Sequence, residues 1–154
     1  MSNSGDAPFR FGGGARLAAI DPAAIARAEA ALKSLSGNFA EWLAEEVAKL
    51  DAAGQRVRRE GQTAEAMETL YLRAHDLKGL GATYEYPIVT RIAASLCRLI
   101  DDPAHRSDAP MFLIDAHIDA IKAAVREGVQ TDEHPSGRAL LAELENRVKS
   151  VSAR

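Results

Sequence analysis

The chain has 154 residues, 47% of them hydrophobic but only 5% aromatic, and a net charge of about −3 with both signs mixed. Such a length supports one domain with a sizeable core, which must be filled by Ala, Leu, Ile and Val rather than by rings. The charge argues against a nucleic-acid surface, no apolar run is long enough to span a membrane, the polar N-terminus lacks the apolar segment of a signal peptide, and the lone Cys97 cannot form an internal disulfide. A soluble cytoplasmic protein is expected.

Residues 1–20 have no hydrophobic period and include Gly12-Gly13-Gly14; they are expected to form a flexible arm. The triple glycine is not a phosphate loop, because no strand pattern precedes it and no Lys-Ser follows. Asp21-Pro22 predicts a helix start, with Asp as N-cap and Pro in the first turn. Ile25, Ala28, Leu32 and Leu35 follow as an inward stripe, and Ser36-Gly37 is expected to stop this helix. A second helix is predicted from about Asn38 to Arg59, with Phe39, Leu43, Val47, Leu50 and Val57 inward, Trp42 as a packing residue beside them and Gly54 as a weak point.

Thr63 is the predicted N-cap of a third helix running to about Tyr84, where Glu85-Tyr86-Pro87 breaks it. Ile88, Ile92, Leu96 and Leu99 mark the next helix, which ends at Asp101-Asp102-Pro103. A polar loop then leads to Pro110 and a helix carrying Ile114, Ile118, Ile121 and Val125, closed by Gly128. After a loop over residues 131–137, a last helix from about Arg138 to Ser152 carries Leu141, Leu144, Val148 and Val151; its narrow stripe suits docking on the chain's own body, or else pairing with another chain. No segment alternates with period two. The expected fold is all-α, an up-down antiparallel four-helix bundle with an additional helix at each end, organised as an arm (1–20), a bundle (21–130) and a C-terminal loop and helix (131–154) that packs on the bundle or mediates association.

The third helix carries the most informative stretch, Tyr71 to Ala82. Leu70, Ala74, Leu77, Gly81 and Tyr84 recur at 4, 3, 4 and 3 residues, a core-facing stripe. On that wheel His75 faces water, with Lys78 and Gly79 beside it one turn on. Glycine inside a helix costs about 1 kcal/mol against alanine, so Gly79 and Gly81 call for a reason, and clearance for a bulky group on the histidine is one. Neutral imidazole, the main form above the ordinary histidine pKa of about 6.5, has a free ring nitrogen that can attack phosphorus. Lys78 would then supply a charge-assisted contact to a phosphoryl group on that nitrogen. Leu72, Ala82 and the edge of Tyr71 form a small apolar surface nearby, better suited to protein docking than to small-molecule catalysis.

The run Ala74-His75-Asp76-Leu77-Lys78-Gly79, followed by Leu80-Gly81-Ala82, resembles the His-x-Leu-Lys-Gly signature of histidine-containing phosphotransfer (HPt) domains, four-helix bundles with the histidine exposed on a central helix. The resemblance covers roughly Asn38 to Glu127 and leaves both ends of the chain aside. It implies that His75 is the phosphoacceptor, that Lys78 stabilises the phosphoryl group, and that Gly79 gives clearance, while Gly81 serves helix packing. It further implies a phosphorelay intermediate between response-regulator receiver domains and a hybrid histidine kinase. Such a protein is a monomer without ATP-dependent kinase activity or a cofactor of its own, and any magnesium belongs to the receiver. Two other readings remain. His75-Asp76-Leu77-Lys78 also fits the H-box of a sensor-kinase dimerisation and phosphoacceptor bundle, although Gly79-Leu80 stands where Thr-Pro is usual there and no glycine-rich ATP-binding domain follows. The chain would otherwise be a non-catalytic helical adaptor. Elsewhere, His117 is expected to be buried and hydrogen-bonded, and His105, His134 and Cys97 lack metal-ligand spacing.

Overall fold

The computed structural model describes residues 21–152, which form five α-helices and one 3-10 turn with no strand among them. The helices are α1 (Pro22–Glu60), α2 (Ala64–Thr83), α3 (Pro87–Ile100), α4 (Met111–Glu127) and α5 (Pro135–Ser152), with the 3-10 turn at Arg106–Asp108. The expected arm over 1–20 lies outside the described residues. The chain divides into two compact units, residues 1–37 and 38–154. No described helix is long and apolar enough to cross a membrane.

One expectation fails at the start. The two predicted N-terminal helices are a single helix, α1, which runs through Ser36-Gly37 without a break. Its beginning is as read: the Asp21 carboxylate accepts from the Ala23 N–H at 3.1 Å, and Pro22 occupies the first turn. Gly37, however, does not adopt the left-handed conformation of a helix C-cap, and one exposed helical glycine costs only about 1 kcal/mol. Within the first unit the predicted inward stripe is exposed, with Ile25 at 48%, Leu32 at 67% and Leu35 at 44%.

In the second unit the stripes meet as expected. Leu43, Val47, Leu50 and Val57 of α1 are buried, as are Leu70, Ala74 and Leu77 of α2, Ile88, Ile92 and Leu96 of α3, and Ile114, Ile118 and Ile121 of α4. Leu141, Leu144 and Val148 of α5 are buried too, so this helix joins the core of the same unit. Arg91 of α3 supports the docking with ion pairs to Asp132 at 2.9 Å and Glu145 at 3.3 Å. Phe39 is less inward than read, while Trp42 packs beside the stripe as expected. Phe39 is half-buried and Trp42 is exposed, and their rings meet Tyr84 in tilted contacts at centroid distances of 5.5 and 5.9 Å. Gly54 is not a weak point but a close approach: a Cβ there would lie 2.6 Å from Ile118 Cδ1.

Two helix ends are built alike. After α2, the Tyr86 N–H donates to the Gly81 carbonyl at 2.7 Å and the Glu85 N–H to that of Ala82 at 3.0 Å, with Glu85 at φ 71°. After α4, Val129 N–H donates to Ala124 O at 2.9 Å and Gly128 N–H to Val125 O at 3.4 Å, with Gly128 at φ 72°. Both are Schellman motifs, and at the second the glycine supplies the left-handed residue without steric strain. The polar loop after α3 contains the 3-10 turn, and α5 begins at Pro135, earlier than predicted, because proline suits a first helical turn.

The core holds one polar pair across α3 and α4. His117 is fully buried; its Nδ1 lies 2.7 Å from the Leu113 carbonyl oxygen and so carries the proton, while Nε2 accepts from the Ser95 hydroxyl at 2.9 Å. Burial pushes the His117 pKa below the ordinary value, because the charged ring has no water and no acid to meet it. The unfolded chain, titrating near 6.5, therefore binds more protons than the native state below that pH, and stability must fall as the pH drops through it. Exposed His105, held above its ordinary value by Asp102, works weakly in the opposite sense. Urea unfolding between pH 7.5 and 5.5 is expected to show a midpoint that falls with acid in wild type. The fall should be clearly smaller in His117→Leu, whose neutral-pH stability is lowered by the unpaired Ser95 hydroxyl.

Candidate functional site

The α2 stripe that faces the core fixes what the opposite side presents. Leu70, Ala74 and Leu77 are fully buried, and His75, Lys78, Gly79 and Leu72 are all exposed. The helix is anchored at both ends: Thr63 Oγ1 accepts from the Ala66 N–H at 3.2 Å, and Thr90 Oγ1 of α3 accepts from the Ala82 N–H at 2.8 Å. His75 thus stands on a rigid helix, about midway along it.

Among the four histidines, the ring nitrogens differ in availability. His105 Nδ1 is 2.8 Å from Asp102 Oδ2, His134 Nδ1 is 2.8 Å from Ser136 Oγ, and both nitrogens of His117 are bonded in the core. His75 alone makes no hydrogen bond or ion pair among the described residues; its contact is the Tyr71 ring, with centroids 6.0 Å apart and planes inclined at 38°. Lys78 likewise forms no ion pair among the described residues. It lies near enough to Cys97 to oppose the burial that pushes that buried thiol up to about 11, so Cys97 is held as an unreactive thiol beneath the site. Asp76 turns sideways to Arg73, at 3.9 Å.

The two glycines of α2 have opposite surroundings. A Cβ on Gly79 would meet nothing within 4 Å, so no neighbour among the described residues requires glycine there. A Cβ on Gly81 would lie 2.6 Å from the Thr90 backbone nitrogen, 2.7 Å from Thr90 Oγ1 and 3.0 Å from the Tyr86 carbonyl oxygen. Gly81 therefore sets the distance between α2 and α3, and the space above Gly79 is open to solvent.

Of the apolar surface expected around His75, Leu72 is 53% exposed and Ala82 is exposed, whereas Tyr71 is only half-buried and has one face covered. The cover is Arg106, whose guanidinium carbon sits 4.6 Å from the Tyr71 ring centroid. Arg106 is itself fixed, donating from Nε to the Ile100 carbonyl at 2.6 Å and from a terminal nitrogen to that of Asp101 at 3.3 Å. No sequence pattern points to this residue: it lies in a loop without periodicity, and only the path of that loop brings it to α2. A cleft of about 360 Å³ is lined in part by Arg106, but its α2 wall is Ala64, Met67 and Glu68 and does not include His75. No group of three or more His, Cys, Asp or Glu side chains converges among the described residues.

The arrangement offers an unencumbered imidazole ring on an exposed, partly apolar surface, with a cation that forms no ion pair among the described residues and an open backbone position within one turn. No family model, no curated protein and no solved structure matches this chain.

Proposed function

We propose that the protein is a phosphorelay intermediate of HPt type, with His75 as the phosphoacceptor. The observation that carries the reading is that His75, exposed in the middle of a rigid helix, keeps both ring nitrogens uncommitted among the described residues while Lys78 is unpaired and Gly79 is open above the next turn. The unprotonated ring nitrogen attacks the phosphorus of an aspartyl phosphate on a receiver domain. The N–P bond forms as the acyl P–O bond breaks, and the aspartate carboxylate leaves with the electron pair. Lys78 holds a phosphoryl oxygen by a charge-assisted contact. The missing side chain at Gly79 admits the partner's backbone, and Leu72, Ala82 and the uncovered edge of Tyr71 meet its apolar surface. The reverse reaction delivers the group to a second receiver.

The chain has little to do beyond holding the imidazole in line, and an open site is adequate for that because the partner closes it. Magnesium is supplied by the receiver. A hybrid histidine kinase is the upstream source of phosphate, and ATP is not a direct donor. The kinase-like alternative requires a bundle shared by two chains, whereas the HPt reading requires only one. Under the HPt reading each chain is a complete transfer unit, and transfer by a monomer is expected.

The test is incubation with a panel of phosphorylated receiver domains. Acid-labile, base-stable label on the wild-type chain is expected from at least one; none from any, with the helices intact by circular dichroism, would leave the adaptor reading. Label from ATP without an added kinase would favour the kinase-like one. Leu72→Glu checks the docking surface. At an exposed site its effect on stability should stay within about 0.5 kcal/mol, while losing an apolar contact and adding a charge should lower kcat/KM for transfer by roughly tenfold. Unchanged transfer kinetics would exclude Leu72 from the contact.

A further inference from the structure

An exposed histidine without a hydrogen bond is free to change rotamer unless a neighbour restricts it. For His75 that neighbour is the Tyr71 ring, one turn earlier on α2, with centroids 6.0 Å apart. Side chains on a helix lean toward its N-terminus, so the imidazole leans toward Tyr71 and Lys78 leans toward the imidazole. A ring contact between positions four apart is weak by itself, and Tyr71 can restrict His75 only if Tyr71 is itself held. We infer that Arg106 is a positioning residue for His75: it fixes the Tyr71 ring, and that ring limits the orientations in which the imidazole meets a phosphoryl donor. The inference rests on the phosphorelay reading for the reaction it serves.

The anchor is the end of α3. Ile100 and Asp101 lie there, where the last carbonyls of a helix lack intrahelical donors. Arg106 supplies two, from Nε to Ile100 at 2.6 Å and from a terminal nitrogen to Asp101 at 3.3 Å. A cation at this end also meets the negative pole of the helix. Both bonds lie in the guanidinium plane, so they fix that plane, and its central carbon sits 4.6 Å from the Tyr71 centroid. The planar fork thus binds carbonyls with its edge and the ring with its face, which the single ammonium of a lysine cannot do together. The loop itself is pinned. Asp102 Oδ1 accepts from the Ala104 N–H at 3.0 Å, Gln62 Nε2 donates to the Ala109 carbonyl at 2.9 Å, and the 3-10 turn that begins with Arg106 packs on both α2 and α3. A continuous line of contacts therefore runs from the end of α3 through Arg106 and Tyr71 to His75.

Orientation is measured without any transfer. NMR of the full chain is expected to show cross-relaxation between the Tyr71 and His75 ring protons. Arg106→Ala should lose most of it and move the His75 ring signals, with those of His134 as control, and Arg106→Lys should recover part. An unchanged Tyr71–His75 signal in Arg106→Ala would overturn the inference even if receivers label His75. The effect on reaction is read with phosphoramidate, a small donor that needs no docking surface. The imidazole nitrogen attacks phosphorus, the donor's P–N bond breaks, ammonia leaves with the electron pair, and the ring's N–H proton passes to water. Arg106→Ala and Tyr71→Leu are each expected to slow labelling of His75 several-fold, and the double variant to be no slower than the slower single one, because both break the same line of contacts. Effects that multiply would mean that Arg106 does not act through Tyr71 and would overturn the inference. So would an Arg106→Ala chain that melts earlier but, at a temperature where it is folded, is labelled at the wild-type rate, since Arg106 would then be a helix cap alone. No label on the wild type from phosphoramidate or any receiver would instead overturn the phosphorelay reading, and with it the role of Arg106 in transfer, whatever the NMR contact shows.

Discussion

His75→Ala is expected to abolish phosphoryl labelling by every receiver that labels the wild type, and to leave the melting temperature unchanged or slightly raised. The stability half follows from position. The imidazole is exposed and makes no hydrogen bond among the described residues, so its removal leaves no cavity and no orphaned partner, and alanine is the better helix former by a few tenths of a kcal/mol. The activity half follows from the state of the other histidines. His117 is sealed in the core, and one ring nitrogen each of His105 and His134 is engaged by Asp102 and Ser136. Neither of the exposed two has an unpaired lysine one turn away on a helix. Mapping the labelled peptide decides the matter. Label that persists in His75→Ala would transfer the role to another residue, and a large loss of thermal stability would contradict the exposed placement of the ring.

The exposure of His75 was legible because the stripe Leu70, Ala74, Leu77, Gly81 fixes the rotation of the helix, and every other side chain on α2 follows from that rotation. The same logic recovered most of the buried positions of α3, α4 and α5, as well as the Thr63 cap. It failed where a local signal competes with helix continuity. Ser36-Gly37 has the composition of a stop, but no proline enforces it and the apolar spacing from Leu35 to Phe39 stays in helical phase, so α1 continues. It failed again where the relevant neighbour is distant in sequence. Gly54 reads as a flaw until Ile118 is seen to fill the space above it, and Arg106 reads as loop polarity until its guanidinium is found on the Tyr71 ring. A period describes which way a side chain points; it carries no information on what arrives from another element. The freedom of the His75 nitrogens is of that second kind.

The two glycines of α2 give the sharpest separation of stability from function. Gly81→Ala is expected to destabilise the protein by about 2–3 kcal/mol, the upper part of the usual range for overpacking. The added methyl meets backbone at 2.6 Å and the fixed Thr90 hydroxyl at 2.7 Å. Neither can rotate away, so α2 and α3 must separate and the Thr90 bond to the Ala82 N–H must stretch. Gly79→Ala, two residues earlier on the same helix, is expected to do the reverse. Its methyl meets nothing within 4 Å, and the helix gains up to about 1 kcal/mol in propensity. A residue that lowers stability without any packing reason is held for something outside the fold, and under the phosphorelay reading that is the approach of the receiver to His75. Gly79→Ala should therefore be more stable by urea denaturation yet slower in transfer, whereas Gly81→Ala should lose stability first and transfer only as far as it unfolds. A Gly79→Ala protein that is both more stable and fully active would remove clearance from the role of this position. A Gly81→Ala protein as stable as wild type would mean that α2 and α3 are not held at the distance the glycine sets.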